Sequence, residues 1–124
     1  MSVTQRNRVN ALVGLSGEKL KKALQNEIQQ YVKNNTKKGI KLSKDVYKKW
    51  KVGVTNNPYR RYGENLPKGK KRLTYWQCWQ SESKIQAEEI ESYFCQKGFS
   101  KCSNKYNEQE NTIYVYVFLI PKLN

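Results

Sequence analysis

Histidine is absent from this 124-residue sequence, which excludes a histidine general base and a histidine metal ligand. The three cysteines, Cys78, Cys95 and Cys102, are an odd number and contain no Cys-x-x-Cys pair. That pattern favours reduced thiols over a disulfide framework or a zinc site. No apolar run approaches the roughly 18 residues that a membrane-spanning helix needs. Since the first residues also lack an apolar signal segment, we expect a cytoplasmic protein without a membrane partner.

Acidic residues are scarce as well. Ten Asp and Glu stand against 24 Lys and Arg, which gives a formal net charge of +14. Residues 33–72 contain 14 of the basic and 2 of the acidic residues, and so carry +12 of that charge. A polyanion is the natural partner of such a surface. We therefore expect the partner to be nucleic acid, and DNA before RNA. The alternative is a solvated basic face in a chain rich in Lys and Asn, a composition compatible with an AT-rich bacterial or phage source.

The periodicity of the apolar residues predicts an α+β fold, with a small antiparallel sheet of about three strands flanked by helices. A helix is predicted over residues 16–32, followed by a basic loop with room for a short strand at 39–42. Residues 1–44, the N-terminal helix and basic loop, then precede a core over 45–124, and together they form one compact domain. In that core we predict strands over 46–54, 73–80 and 112–120, and helices over 58–62 and 84–97.

Two segments of the predicted core carry a resemblance to a known family. Residues 51–61, KVGVTNNPYRR, run from a strand through an Asn-Pro turn into a helix with two arginines. Residues 83–91, SKIQAEEIE, begin the next helix, and a glycine loop and the strand IYVYV follow. In order and separation these segments resemble the GIY-YIG endonuclease superfamily. The resemblance covers residues 46–120 and implies a GIY-YIG-like core to which the N-terminal helix is an addition.

The resemblance also implies site residues. The family's catalytic arginine is the eighth residue after the signature glycine, which makes Arg61 the match and Arg60 the fallback. A guanidinium there would stabilise charge on the scissile phosphate. The family's metal-binding glutamate matches Glu91, and one carboxylate with substrate oxygens suits Mg²⁺. The alternatives are an arginine that contacts phosphate without catalysis and a solvated helix glutamate.

The chain departs from the family at its two strand tyrosines, which activate or orient the attacking water. The second tyrosine position matches Lys51, and the first matches Lys41 if residues 39–41 are its counterpart. Lys51 acts as a base if burial lowers its pKa, or else simply binds phosphate. Tyr47 falls on the same predicted strand face as Lys51, but about 13 Å away, too far for a simple replacement. The family's asparagine has two candidates here, Asn104 and Asn107.

Three functions follow as hypotheses. The first is a Mg²⁺-dependent endonuclease in which eight basic residues bind backbone phosphates: Lys37, Lys38, Lys48, Lys49, Arg60, Lys70, Lys71 and Arg72. The second is a catalytically inactive protein of this fold that binds nucleic acid or a host protein, and the third is a pocket for a small anion such as a nucleotide. Four strand aromatics are either core residues or rings that stack on exposed bases: Trp50, Tyr75, Trp76 and Trp79.

Overall fold

Helices and strands alternate along the chain in a computed structural model, which describes residues 8–100 and 112–121. The elements are α1 (Gly17–Asn34), α2 (Lys44–Tyr47), β1 (Trp50–Thr55), α3 (Pro58–Asn65), β2 (Thr74–Gln80), α4 (Lys84–Lys97) and β3 (Tyr114–Leu119). The three strands form one antiparallel sheet. The predicted α+β class is therefore confirmed. Within the described residues, every helix is too short or too polar to cross a membrane.

The last strand lies in the centre of the sheet, in the order β1-β3-β2. Gly53 on β1 and Cys78 on β2 are both in register with Tyr116 on β3. The two outer strands are each bridged by one residue from another part of the chain. Asn10 bridges β2 through its amide, 2.9 Å from the Cys78 carbonyl oxygen, and Ser100 bridges β1. These bridges satisfy backbone groups that an open sheet edge would expose.

One face of the sheet packs against α1 and α4. Alternate residues of β1 point to this side, because side chains alternate along a strand, and Val52 and Val54 are buried there. The apolar positions of α1 follow helical spacing and are all buried in the same core: Leu20, Leu24, Ile28 and Val32. Burial of an aliphatic side chain stabilises a fold by about 1.5–3 kcal/mol, so α1 belongs to the main core of the protein.

The other face of the sheet packs against α3 in a smaller, mostly aromatic core. Trp76 stacks on Tyr116, with ring centroids 4.8 Å apart, and meets the Tyr62 ring edge-on at 5.1 Å. The Tyr62 hydroxyl accepts a hydrogen bond of 2.8 Å from the Leu73 amide. This bond and the ring contacts fasten α3 to the sheet and so fix the position of the side chains that α3 carries.

Several predicted boundaries were wrong. The strand predicted from Val46 begins only at Trp50, because residues 44–47 form α2. The Tyr47 amide donates to the Ser43 carbonyl at 2.9 Å, a helical bond that the apolar alternation of this segment concealed. Residues 39–42 form no strand. Helix α3 continues past Gly63 to Asn65.

The cysteines also differ from the sequence prediction. Cys78 is a free, buried thiol whose pKa is raised by burial. Cys95 is disulfide-bonded, so the prediction of reduced thiols was wrong for this residue. The cysteines of this chain therefore do not support the expectation of a reducing compartment. Cys102 lies outside the described residues.

Candidate functional site

Polar and charged side chains surround the hydroxyl of Tyr116 on the α3 side of the sheet. The ring of Tyr116 lies across Gly53, its neighbour in the sheet. A Cβ at position 53 would overlap the hydroxyl oxygen and Cζ of Tyr116 and would lie 2.8 Å from Cε2. Only glycine permits this close approach. Because Gly53 has no side chain, the ring of Tyr116 occupies the space beside it, and the phenol hydroxyl lies at this point of the sheet.

Four side chains act on that hydroxyl. Burial raises the pKa of Tyr116 to about 12, against the positive charge of Arg61 and a hydrogen bond with the Asn65 side chain, which both lower it. The negative charges of Glu91 and Glu64 raise the pKa further. Tyr116 is therefore a neutral phenol at neutral pH. We call these five residues the Tyr116 cluster: Arg61, Glu64, Asn65, Glu91 and Tyr116.

Helix α3 supplies three members of the cluster, and its start is well defined. The Asn57 side chain accepts a hydrogen bond of 3.0 Å from the Arg60 amide, and Pro58 occupies the first turn, where no amide donor is needed. The side chain of Asn65 donates to the carbonyl oxygen of Arg61 at 2.9 Å. These bonds hold Arg61 one turn before Asn65, on the side of α3 that faces Tyr116.

The guanidinium of Arg61 is partly buried. Its Nε lies 3.4 Å from a Glu64 carboxylate oxygen, yet this buried atom makes no hydrogen bond of good geometry within the described residues. The two observations agree if the pair is a charge contact and not a directed hydrogen bond. A buried donor without a directed hydrogen bond costs about 1–3 kcal/mol, a cost that the nearby negative charge of Glu64 reduces.

Glu91 is the fifth member, and it comes from α4. Ser83 caps this helix by accepting a 3.1 Å hydrogen bond from the Gln86 amide. Ala87 and Ile90 are fully buried against the sheet. The position of α4 leaves only 5% of Glu91 exposed, so the alternative of a solvated helix glutamate was wrong. Buried carboxylates in proteins are paired or bind metal ions.

Other predicted site residues lie apart from this cluster. Tyr47 belongs to α2, and its ring stacks on Phe99 at 5.1 Å in the core on the opposite face of the sheet. Burial there raises the pKa of Tyr47. Lys51 is half-buried on β1, two residues before Gly53 and thus on the same face. Lys41 is exposed outside any helix or strand. Asn104 and Asn107 lie outside the described residues.

The predicted phosphate-binding residues all lie on the surface. Arg60 pairs with the carboxylate of Glu64 at 3.9 Å and donates to the Asn56 side chain at 2.9 Å. Lys48 pairs with Asp45 at 3.4 Å. The full set is exposed: Lys37, Lys38, Lys48, Lys49, Arg60, Lys70, Lys71 and Arg72.

Sequence reasoning placed Arg61 and Glu91 in the candidate site but did not include Tyr116, Asn65 or Glu64. The strand over 112–120 was predicted, but no site residue was assigned to it. Its alternation does put Tyr114, Tyr116 and Phe118 on one face. The pairing of Tyr116 with Gly53 depends on sheet register across some 60 residues, which no local pattern specifies.

The carboxylates of the cluster fit a divalent metal ion of the hard, oxygen-binding class. The described residues contain no group of three or more His, Cys, Asp or Glu side chains that could hold a metal by protein ligands alone. Mg²⁺ usually needs only one or two carboxylates and keeps several waters. Glu91 and Glu64 both raise the pKa of Tyr116 by their charge. Glu64 is already paired with Arg61, so the buried Glu91 is the carboxylate that would hold such an ion.

Comparisons with known proteins supplied no relative: no family model, curated protein or solved structure matched this chain. The function is therefore inferred from the residues of the Tyr116 cluster and the charged surface around it.

Proposed function

We propose that this protein is a divalent-metal-dependent endonuclease of the GIY-YIG type, which hydrolyses phosphodiester bonds in nucleic acid, with DNA as the first substrate to test. The observation that supports it is the convergence of a guanidinium, a buried carboxylate and a phenol at one point of the sheet. Arg61 on α3 and Glu91 on α4 both act by their charge on the pKa of Tyr116 on β3. The strong basic charge supports a polyanionic substrate.

In this proposal Arg61 binds the scissile phosphate and stabilises the charge that develops on it. A guanidinium is planar and permanently charged, so it meets two phosphate oxygens without a change of protonation. Glu91 would hold Mg²⁺. When bound, that ion neutralises phosphate charge and lowers the pKa of a bound water.

Tyr116 takes the part that the family gives to its strand tyrosines, although it comes from a different strand. A tyrosine hydroxyl is neutral at neutral pH, and the raised pKa of Tyr116 disfavours its ionisation further. The hydroxyl therefore orients the attacking water by a hydrogen bond more readily than it removes a proton. The side chain of Asn65 bonds to the same oxygen and limits its direction. Lys51, on the same face of β1, would bind a neighbouring phosphate.

The test is the nicking of supercoiled plasmid in the presence of Mg²⁺. We expect Glu91→Gln to lose cleavage, because the amide keeps the shape of the side chain but not its charge. Arg61→Ala should lose about 10²–10³-fold in rate, the usual cost of one transition-state donor. Glu89→Gln is the matched control on the same helix: its side chain is 53% exposed and makes only a 3.8 Å contact with Lys21.

A second candidate, a catalytically inactive nucleic-acid-binding protein of this fold, is favoured by one observation. Lys51 occupies the position of the second family tyrosine, half-buried on β1. The same experiment separates the two functions. Cleavage by the parent and by Glu89→Gln, lost in Glu91→Gln and with EDTA, supports the endonuclease. Retardation of the plasmid at low salt, without cleavage and without dependence on Glu91, supports the inactive protein.

A further inference from the structure

An exposed aromatic ring lies outside the Tyr116 cluster. Of the four strand aromatics predicted to be either core or base-stacking residues, three are core: Trp50, Trp76 and Trp79 are at most 2% exposed. The fourth, Tyr75, is 41% exposed. It is therefore the one member of this set whose ring can meet a ligand.

A β-bulge sets the position of this ring. Thr74 pairs with Leu119, but the next pair is Gln77 with Val117, so β2 carries one extra residue here. Tyr75 lies in the bulge with φ at +54°, a left-handed conformation that residues with a side chain rarely adopt. Bulges often redirect a side chain at functional sites. Here the bulge separates Tyr75 from Trp76, which is buried on the α3 side of the sheet.

The ring of Tyr75 stacks on a buried tryptophan. Tyr75 stacks on Trp50 with ring centroids 6.1 Å apart and an interplanar angle of 20°. Trp50 is held in turn by the edge of the Tyr31 ring, with centroids 6.1 Å apart. One side of Tyr75 is thus supported by a buried indole while much of the residue remains in solvent. We call Tyr75 and the underlying Trp50 the aromatic platform.

Three basic segments of the chain meet at the aromatic platform. Tyr31 is close enough to Tyr75 for the two hydroxyls to interact electrostatically, so the end of α1, the start of β1 and the start of β2 lie together. Each of these segments carries exposed cations beside its aromatic residue: Lys33 after Tyr31, Lys48 and Lys49 before Trp50, and Lys70, Lys71 and Arg72 before Tyr75. An exposed ring on a surface where three segments each carry exposed cations matches the chemistry of single-stranded nucleic acid, whose bases stack while its phosphates pair with cations.

We propose that the aromatic platform stacks on an unpaired base, so that the substrate class is single-stranded or locally unpaired nucleic acid. This inference rests on the proposed function for the kind of polymer that is bound. Trp50 lies three residues before Gly53 on β1, roughly 10 Å along the strand. Because side chains alternate along a strand, the platform lies on the face packed on α1 and the Tyr116 cluster on the α3 face, so a nucleic-acid strand that reaches both must pass around the end of the sheet. In fully paired DNA the base faces are occupied by stacking on one another and the platform would have no partner.

The test compares the binding of fluorescein-labelled oligothymidine and of a labelled duplex of mixed sequence, by anisotropy at equal salt. Tyr75→Asn removes the ring, and asparagine accepts a left-handed backbone more readily than most residues. Because one stacked base contributes about 1–3 kcal/mol, the variant should bind oligothymidine roughly 5- to 150-fold more weakly. Its affinity for the duplex should stay within about twofold. Tyr75→Phe, which keeps the ring, should bind both probes like the parent.

Two controls make the outcome decisive. Circular dichroism and thermal unfolding establish that Tyr75→Asn is folded, and Lys71→Ala should weaken binding of both probes alike, since it removes only a phosphate contact. Equal loss on both probes in the folded Tyr75→Asn variant, or no loss on oligothymidine, overturns the inference, as does a parent that does not bind oligothymidine. Tyr75-dependent binding without plasmid cleavage supports the inference while it overturns the proposed endonuclease.

Discussion

At the scale of single residues, the close pair of Gly53 and Tyr116 is the most constrained contact of the candidate site. The pair puts the ring of Tyr116 where another residue at position 53 would put its Cβ. No side chain can be added at position 53 unless the ring of Tyr116 shifts. The close contact with Gly53 fixes the position of the Tyr116 ring relative to the two helices that carry the other members of the cluster.

We predict that Gly53→Ala destabilises the protein by about 1–3 kcal/mol, the usual cost of an overpacked core. Urea unfolding measures the change. In a Tyr116→Val background the same substitution should cost clearly less, because the ring that it overlaps is gone. Equal costs in the two backgrounds would show that the two positions are not coupled, contrary to this geometry.

A second residue-scale prediction concerns alkaline pH. The pKa of Tyr116 is about 12 in the folded protein, against an ordinary value near 10 in an unfolded chain. Below pH 10 both states hold the proton, so this group contributes no pH dependence there. Between about pH 10 and 12 only the unfolded state loses it, so the free energy of unfolding must fall as pH rises.

Urea unfolding across this pH range is the measurement. Tyr31, whose pKa burial also raises to about 12, contributes to the same decline. Tyr116→Phe should therefore reduce the steepness of the decline without abolishing it, and ultraviolet titration should show one fewer late-ionising phenol. An unchanged slope in Tyr116→Phe would mean that this hydroxyl ionises normally.

Sequence reasoning at this scale names residues whose position depends on local order and misses those whose position depends on long-range pairing. Arg61 and Glu91 were named as matches to the family motif, because each keeps a short, fixed separation in sequence from the residues that carry the resemblance. Tyr116 was not, because its role arises from register with Gly53. Tyr47 was proposed because an apolar alternation mimicked a strand, whereas the structure puts it in α2, on the other side of the sheet.

At the scale of elements, the helix starts differ in how they are capped. Asn57 and Ser83 each accept a hydrogen bond from the third residue of their helix, at 3.0 and 3.1 Å. Ser16, at the start of α1, makes no such bond. The two capped helices, α3 and α4, are those that carry Arg61 and Glu91, so their starting points also set the geometry of the candidate site.

We predict that Asn57→Ala and Ser83→Ala each lower stability by about 1 kcal/mol, the usual contribution of a cap. Ser16→Ala is the matched control and should change stability by no more than a few tenths of that. Chemical denaturation compares the three variants. A loss at Ser16 as large as that at Asn57 would contradict the capping geometry described here.

Boundaries were predictable where capping and stopping residues agree with periodicity. Helix α4 spans Lys84–Lys97 as predicted, because Ser83 caps it and Gly98 follows with φ at +121°. Helix α3 runs beyond its predicted end because Gly63 remains helical. The Asn65 side chain bonds back to Arg61, a stabilising contact that the glycine signal does not reveal.

At the scale of the whole molecule, charge is distributed unevenly over the surface. The aromatic platform is bordered by cations of three segments, whereas Lys19 and Lys22 lie in the first turns of α1, about three turns from Tyr31. At 1.5 Å per residue this separation is roughly 14–18 Å. The two regions therefore offer a comparison in which the loss of charge is the same and only its position differs.

We predict that Lys70→Ala combined with Lys71→Ala weakens nucleic-acid binding and reduces the slope of log affinity against log salt by about 1.4–1.8, since each lost phosphate contact removes about 0.7–0.9. Lys19→Ala combined with Lys22→Ala should leave the slope nearly unchanged. Anisotropy over a salt series measures both. Equal effects of the two double variants would indicate attraction by net charge alone and no defined surface.

The central position of β3 has a consequence for synthesis on the ribosome. Strands β1 and β2 precede it in the chain, yet each is paired with β3 and not with the other. A nascent chain that has emerged only as far as α4 therefore holds two strands without a partner and lacks Tyr116. Neither the sheet nor the candidate site can be assembled until Tyr114–Leu119 has left the exit tunnel, so both form in the same late step.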